Sequence, residues 1–380
     1  RKFWPGEPAA PRVPTFVPDA VTTEVIELVA STFAHHPGRL DPASLPATAA
    51  DATRWWQWAK EACLPLFGPY EDAMSRHETT LFHSRTSPLV NLHRLTPRRV
   101  LDDVLALDLP LASLEGFVRQ LLGWREFMRH VSEHTDGFRF LPSPTGEAES
   151  IPTLDAPGDG GYRSWSGRSW SETVATNTGA STDEPGEGGA TPSVLGAHNP
   201  LPPAWWGKPS GLACLDHVVD TVWHEGWSHH ITRLMVLANI STLLDVSPRE
   251  LTDWFWVAYV DAYDWVVEPN VLAMGTFGTG PLMTTKPYVS GANYINKMSD
   301  YCSDCVFDPK KTCPLADLYW AFLERHREQL ADNPRLRLPL ASAAKRKPAR
   351  KDLDRAVFAW VRDTLAAGEA LVPAERPKIE

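Results

Sequence analysis

Three cysteines fall within twelve residues: Cys302-Ser-Asp-Cys305, then Cys313 followed by Pro314, a C-x2-C-x7-C spacing. Thiols this close, with Gly291, Pro309 and Pro314 nearby, suit a loop wrapped round a metal. Cys214 lies 88 residues before Cys302 and would supply a fourth thiolate. Four thiolates match either structural zinc or an iron–sulfur cluster, and spacing does not separate the two. Cys63 stands apart and reads as an ordinary buried cysteine. The odd total of five, clustered as it is, argues against a secreted disulfide framework.

His224-Glu225-Gly-Trp-Ser-His229-His230 superficially matches a zinc-peptidase motif, which needs histidines at i and i+4 on one helix face. Five residues turn a helix by roughly 500°, leaving His224 and His229 about 140° apart. On a regular helix they do not chelate one ion.

The elements that must position these groups are helical. Apolar residues recur at spacings of three and four over 47–63, 97–107, 111–134, 212–240, 248–266 and 314–331, and a final helix is expected at 353–366. Thr22-Thr23 opens an earlier helix that His36-Pro37-Gly38 ends. No βαβ unit, strand series or fixed-period repeat is evident. The expected fold class is mainly α, and the chain divides into 1–140, 141–198, 199–340 and 341–380.

Residues 141–200 differ from the rest. They hold 10 of the 24 glycines and eight acids against Arg163 and Arg168, so they carry −6 of the net −10. The stretch 141–198 reads as a disordered acidic insertion. The remaining −4 is too small a charge to exclude a basic groove on the folded part, although the overall balance excludes a simple basic nucleic-acid module. Lys345-Arg346-Lys347-Pro348-Ala349-Arg350-Lys351 is a basic run before the last helix. Sixteen tryptophans can fill a core, stack on rings or relay electrons. No apolar run approaches the roughly 20 residues of a membrane span, and no secretory signal opens the chain. A cytoplasmic location is expected.

The segment Lys297-Met-Ser-Asp-Tyr-Cys302-Ser-Asp-Cys305-Val-Phe-Asp-Pro-Lys-Lys, Cys313-Pro, and Leu318-Tyr-Trp-Ala-Phe-Leu-Glu-Arg-His-Arg resembles the iron–sulfur bacterial cryptochromes and photolyases. The resemblance extends through Phe67-Gly-Pro-Tyr-Glu-Asp-Ala-Met74, Phe82-His-Ser-Arg-Thr-Ser-Pro88, Gly123-Trp-Arg-Glu-Phe127 and Asp261-Ala-Tyr-Asp-Trp265 with Pro269-Asn270. It covers nearly the whole chain apart from the insertion and the extreme C-terminus.

This resemblance implies an all-helical FAD-binding catalytic domain with a 4Fe-4S cluster on Cys214, Cys302, Cys305 and Cys313. It also implies that the chain starts just after the family's antenna domain, so no antenna chromophore site is expected here. A separate antenna or signalling partner stays open. By position, Ser84, Arg85 and Ser87 are expected at the FAD phosphates, Arg125 at the flavin from the facing helix, and Asp261 and Asn270 beside its ring and ribityl chain. His229 and His230 match the histidine pair of a (6-4) lesion pocket, and Tyr288 matches a lesion-side tyrosine. Trp206 and Trp254 match an electron relay. Phe255 stands where relatives can carry a redox-active tyrosine. Val267 is expected to face the flavin N5, where a hydrogen-bonding residue is usual, with Glu268 one place later.

The implied activity is that of a light-driven (6-4) photolyase, a lyase acting on UV-damaged DNA. Excited reduced flavin gives one electron to a flipped pyrimidine photoproduct, and a histidine supplies a proton. The alternatives are a cryptochrome-like blue-light sensor and a light-independent iron–sulfur scaffold that binds nucleic acid or carries out redox chemistry.

Overall fold

A computed structural model describes residues 1–135, 140–142, 148–150 and 191–378. The expected disorder of 151–190 lies outside the described residues. Helices dominate, with one correction: Phe140–Pro142 and Ala148–Ser150 pair as a short antiparallel hairpin, so the chain is mainly rather than wholly helical. Residues 191–198, read as part of the insertion, pack on the body. Leu195 and Ala197 are buried, and the Val194 N–H donates to the Gly278 carbonyl at 3.0 Å.

The helix Ala49–Trp58 starts on a capping box, in which Thr48 and Asp51 satisfy each other's backbone N–H groups. Pro97–Leu105 starts with Pro97 in its first turn, Thr96 accepting from the Arg99 N–H. The Ala20–Thr32 helix begins earlier than its threonines suggested, because Asp19 caps the Thr22 N–H. The helices Ala49–Trp58 and Pro97–Leu105, with Leu64–Tyr70 and Leu111–Val118, surround a core of Trp55, Trp56, Phe67, Leu64 and Phe117, whereas Ala20–Thr32 buries none of its residues. A larger core lies under the helices Ala213–Glu225, Pro248–Ala258, Pro314–Arg325 and Pro348–Ala366.

Two expected continuous helices are broken, and both breaks serve the space between the cores. The stretch 212–240 ends its first helix at Glu225 because Gly226 turns left-handed at φ 58° and donates to the Val222 carbonyl. A Cβ at Gly226 would sit 2.7 Å from the Val260 side chain, so only glycine fits there. The chain then runs extended to His229 and re-enters a helix at His230–Thr232. The rotation argument against His224 and His229 therefore loses its premise, since no helix joins them. The stretch 248–266 breaks likewise between Ala258 and Asp264. The expected 353–366 helix is longer, Pro348–Ala366, and begins inside the basic run.

Four π-helical stretches occur among the described residues, and three of them, Arg119–Gly123, Arg233–Ala238 and Glu268–Gly275, contribute side chains to one cavity. Such wide turns expose backbone and re-aim side chains, and they often mark functional sites.

Candidate active site

The cavity has a volume of about 950 Å³, at the upper end of what small-molecule sites use. It is lined by all nine residues assigned above to the cofactor and the lesion: Ser84, Arg85, Ser87, Arg125, Asp261, Asn270, His229, His230 and Tyr288. Residues from 84 to 288 in sequence thus converge on one space. Trp206 and Trp254 lie behind its wall.

The wall from the 80–87 loop is held under strain. Leu81 and Arg85 both have positive φ, 46° and 49°, a conformation costly for side chains of that size. The loop is anchored by the Trp55 indole N–H, which donates to the Ser84 carbonyl at 2.8 Å. Arg85 lies over the Trp227 ring at 4.4 Å and pairs with Glu225 at 2.8 Å. Burial lowers its pKa, and Glu225 partly restores it.

Asp261 is committed internally. It accepts a 2.6 Å bond from the Ser87 hydroxyl and a two-pronged pair from Arg233, both prongs 2.9 Å. It braces the loop against the Arg233–Ala238 stretch and offers little to a ligand. Asn270 is also tied at both ends, accepting from the Trp124 indole at 2.9 Å and donating to the Val266 carbonyl at 2.7 Å. Arg125 differs: it stacks over Trp265 at 4.3 Å, and burial alone lowers its pKa. A desolvated guanidinium with no carboxylate paired to it among the described residues is suited to a negatively charged ligand.

Val267 lines the cavity, whereas Glu268 turns away into the core. Glu268 meets Arg249 through two 2.9 Å bonds and receives the Trp256 indole N–H at 3.1 Å. Glu268 therefore does not substitute for the polar group expected beside the cofactor.

At the other end of the cavity His229 is buried, while the His230 side chain is 43% exposed with Nε2 3.8 Å from Asp72 Oδ1. The position-matching missed His83, whose ring stacks on His229 with centroids 4.4 Å apart and 4° between planes. Burial, reinforced by neighbouring imidazoles, drives His83 and His229 well below the ordinary histidine pKa.

Behind the wall, Trp254 meets Phe255 at 5.3 Å and Tyr259 at 6.0 Å, and these two line the cavity. On its far side it meets Trp223 at 6.0 Å, which stacks on Trp206 at 5.8 Å. Trp223 and Tyr259 were both missed by sequence reasoning. Indole N–H groups of Trp223 and Trp254 share the Trp205 carbonyl, at 3.0 and 2.9 Å.

The four cysteines of the motif share one neighbourhood. Cys214 and Cys313 are buried, Cys302 and Cys305 half-buried against the same core. Burial and then the other thiols push Cys214 far up; burial raises Cys313 to about 12 and Cys302 to about 11. Cys63 is raised to about 12 by burial alone, with no other thiol contributing. Cys214 sits in the first turn of Ala213–Glu225 and Cys313 caps Pro314–Arg325, so both lie where helix ends favour thiolate. No three His, Cys, Asp or Glu side chains among the described residues are close enough to hold a single ion. No described helix is long and apolar enough to cross a membrane.

A (6-4) photolyase of Agrobacterium fabrum is 32% identical over 365 residues, covering 93% of this chain and 62% of that protein. A family model described as Deoxyribodipyrimidine photo-lyase-related protein matches residues 1–45. The chain is similar to the photolyase-related family. It spans 62% of the length of that photolyase relative. An uncharacterised protein of Acanthamoeba polyphaga mimivirus, R855, is 40% identical over 70 residues, 18% of this chain and 57% of that one. A solved bacterial class III photolyase from Agrobacterium tumefaciens aligns with a TM-score of 0.43 at 15% identity, over 83% of this chain and 56% of that one. The cavity and the cysteine cluster are the two features with chemistry to assign.

Proposed function

We propose that this photolyase-related chain binds FAD in the cavity and repairs a flipped (6-4) photoproduct in UV-damaged DNA. The observation that carries the reading is the convergence of all nine expected cofactor and lesion residues on one 950 Å³ space. The residues present fit FAD: Arg125 is paired with no carboxylate among the described residues, Ser84 and Ser87 line the strained loop, and Trp124 and Trp265 supply ring faces. Bound reduced flavin supplies light-driven electron donation. Arg85 and Arg233 hold the loop in place, and His230, exposed beside Asp72, presents a proton to the lesion's hydroxyl.

The cysteine set fits a 4Fe-4S cluster. Each thiolate of such a cluster binds a different iron, so the four stand further apart than round one zinc ion.

Protein purified anaerobically should contain FAD and, under blue light, restore (6-4) photoproducts in irradiated DNA. His230→Ala should keep its FAD and lose repair by about 10²-fold or more, the scale of a general acid. Repair at the parental rate would remove His230 from that role. Flavin that photoreduces without any repair would replace this reading with a light sensor, and absence of flavin with an iron–sulfur scaffold.

The aromatic series Tyr259, Trp254, Trp223, Trp206 carries an electron between the cavity wall and the surface, with Phe255 packed beside it as a redox-inert ring. Trp223→Phe should slow photoreduction by an external reductant several-fold while FAD content is unchanged, as read from visible absorption. An unaltered rate would leave Trp223 as packing only.

A further inference from the structure

Three imidazoles meet at the closed end of the cavity. His83 lies face to face with His229, edge-on to Phe67 at 5.8 Å and edge-on to His230 at 5.6 Å. Among the described residues, His83 Nε2 and His229 Nδ1 are buried without a hydrogen-bond partner. Buried polar atoms left in this way are rare in folded proteins, because each forfeits its hydration without replacement.

Parallel rings at this separation, both buried, cannot both carry a proton, since like charges in a dry site repel strongly. The charged and titratable groups around the stack are Asp72 and Glu71 with their partner Arg1, then His230, Arg233 (held by Asp261), and Tyr294. The acids lie on the His230 side: His230 Nε2 is 3.8 Å from Asp72, while His229 faces His83 and the cation Arg233.

We propose that His83 is a positioning residue: its face-to-face stack on His229 fixes that ring and leaves His230, beside Asp72, as the imidazole that carries the proton. The assignment of His230 as donor rests on the repair reading above. The stack itself does not, and the test uses neither light nor lesion. With its folded pKa depressed, His229 takes no proton as pH falls through the ordinary histidine value of about 6.5. Removing the covering ring admits water and should raise that pKa.

The experiment is nitrogen-15 NMR of histidine-labelled protein in the dark between about pH 5 and 8, with His229 assigned from the His229→Gln spectrum. In the parent, His229 should be silent over this range. In His83→Ala it should titrate, its midpoint rising by about one unit or more. His83→Phe, which keeps a stacked ring, should restore silence. An alanine variant that melts lower but leaves His229 silent overturns the proposal, because His83 would then be packing alone. A phenylalanine variant in which His229 titrates as in the alanine variant also overturns it, because the ring nitrogen rather than the stack would matter. Should the alanine variant not fold, His83→Ser takes its place in the same comparison.

Discussion

Cys302→Ser should lose most of the iron found in the parent, about four per chain if the site holds a 4Fe-4S cluster, whereas Cys63→Ala should lose none. The contrast isolates the motif from cysteine burial as such, since both thiols lie against apolar core and only one belongs to the group of four. The stability effect should be large as well. Metal binding in a built site is folding free energy, and removing one ligand also leaves three desolvated thiols. A loss of several kcal/mol corresponds to a fall in Tm of about 5 °C for a chain of this size, against roughly 1 kcal/mol for the Cys63 change.

The damage should reach the cavity. Asp300, two residues before Cys302, accepts the Arg76 N–H at 2.9 Å and the Ser75 hydroxyl at 3.3 Å, and Asp304 pairs with Arg76. The Met74 N–H donates to the Met298 carbonyl at 2.9 Å. The cysteine loop is thus latched to the segment that carries Asp72, and from there to the strained loop at Arg85. Iron and FAD content should fall together in Cys302→Ser. A variant that retains iron and melts with the parent would remove Cys302 from the ligand set.

How much of this was legible depended on the range over which each residue acts. The C-x2-C-x7-C spacing is local, so the loop around Cys302, Cys305 and Cys313 could be read directly. The turn that seats it follows from Asp308, whose backbone and side-chain oxygens collect the N–H groups of residues 310–313. The nine cavity residues were legible only through resemblance, because residues 84 and 288 meet through tertiary packing that no periodicity encodes. His83 stood inside a recognised motif but gave no signal, since its partner His229 lies 146 residues away. Trp223 was hidden for the opposite reason: among sixteen tryptophans, no spacing marks the one that bridges Trp254 to Trp206. The break at Gly226 failed as a sequence inference because apolar spacing continues across it. Only the contact with Val260 shows why the helix must end there.

Arg249→Met should destabilise the chain by about 3–5 kcal/mol, the cost of stranding a buried charge. Arg249 and Glu268 are both almost wholly enclosed, and their bonds are paired at 2.9 Å. Burial disfavours the guanidinium's charge, but Asp253 and Glu268 reverse that and raise its pKa, so Arg249 stays charged throughout the ordinary pH range. With methionine at position 249, the Glu268 carboxylate loses both bonds from the guanidinium and keeps the Trp256 indole as a neutral donor. It must either take up a proton or draw water into the core. Thermal melts should show a fall of about 5 °C, and lower pH should narrow the gap to the parent, because protonating Glu268 relieves the stranded charge. The double variant Arg249→Met with Glu268→Leu should recover most of the loss, since apolar replacements of a buried pair are often neutral. A single variant that melts within about 2 °C of the parent would show that the pair contributes little. The pair also explains the cavity wall: by drawing Glu268 into the core, it commits the preceding residue, Val267, to face the cavity and leaves an apolar surface where relatives are expected to place a hydrogen-bonding one.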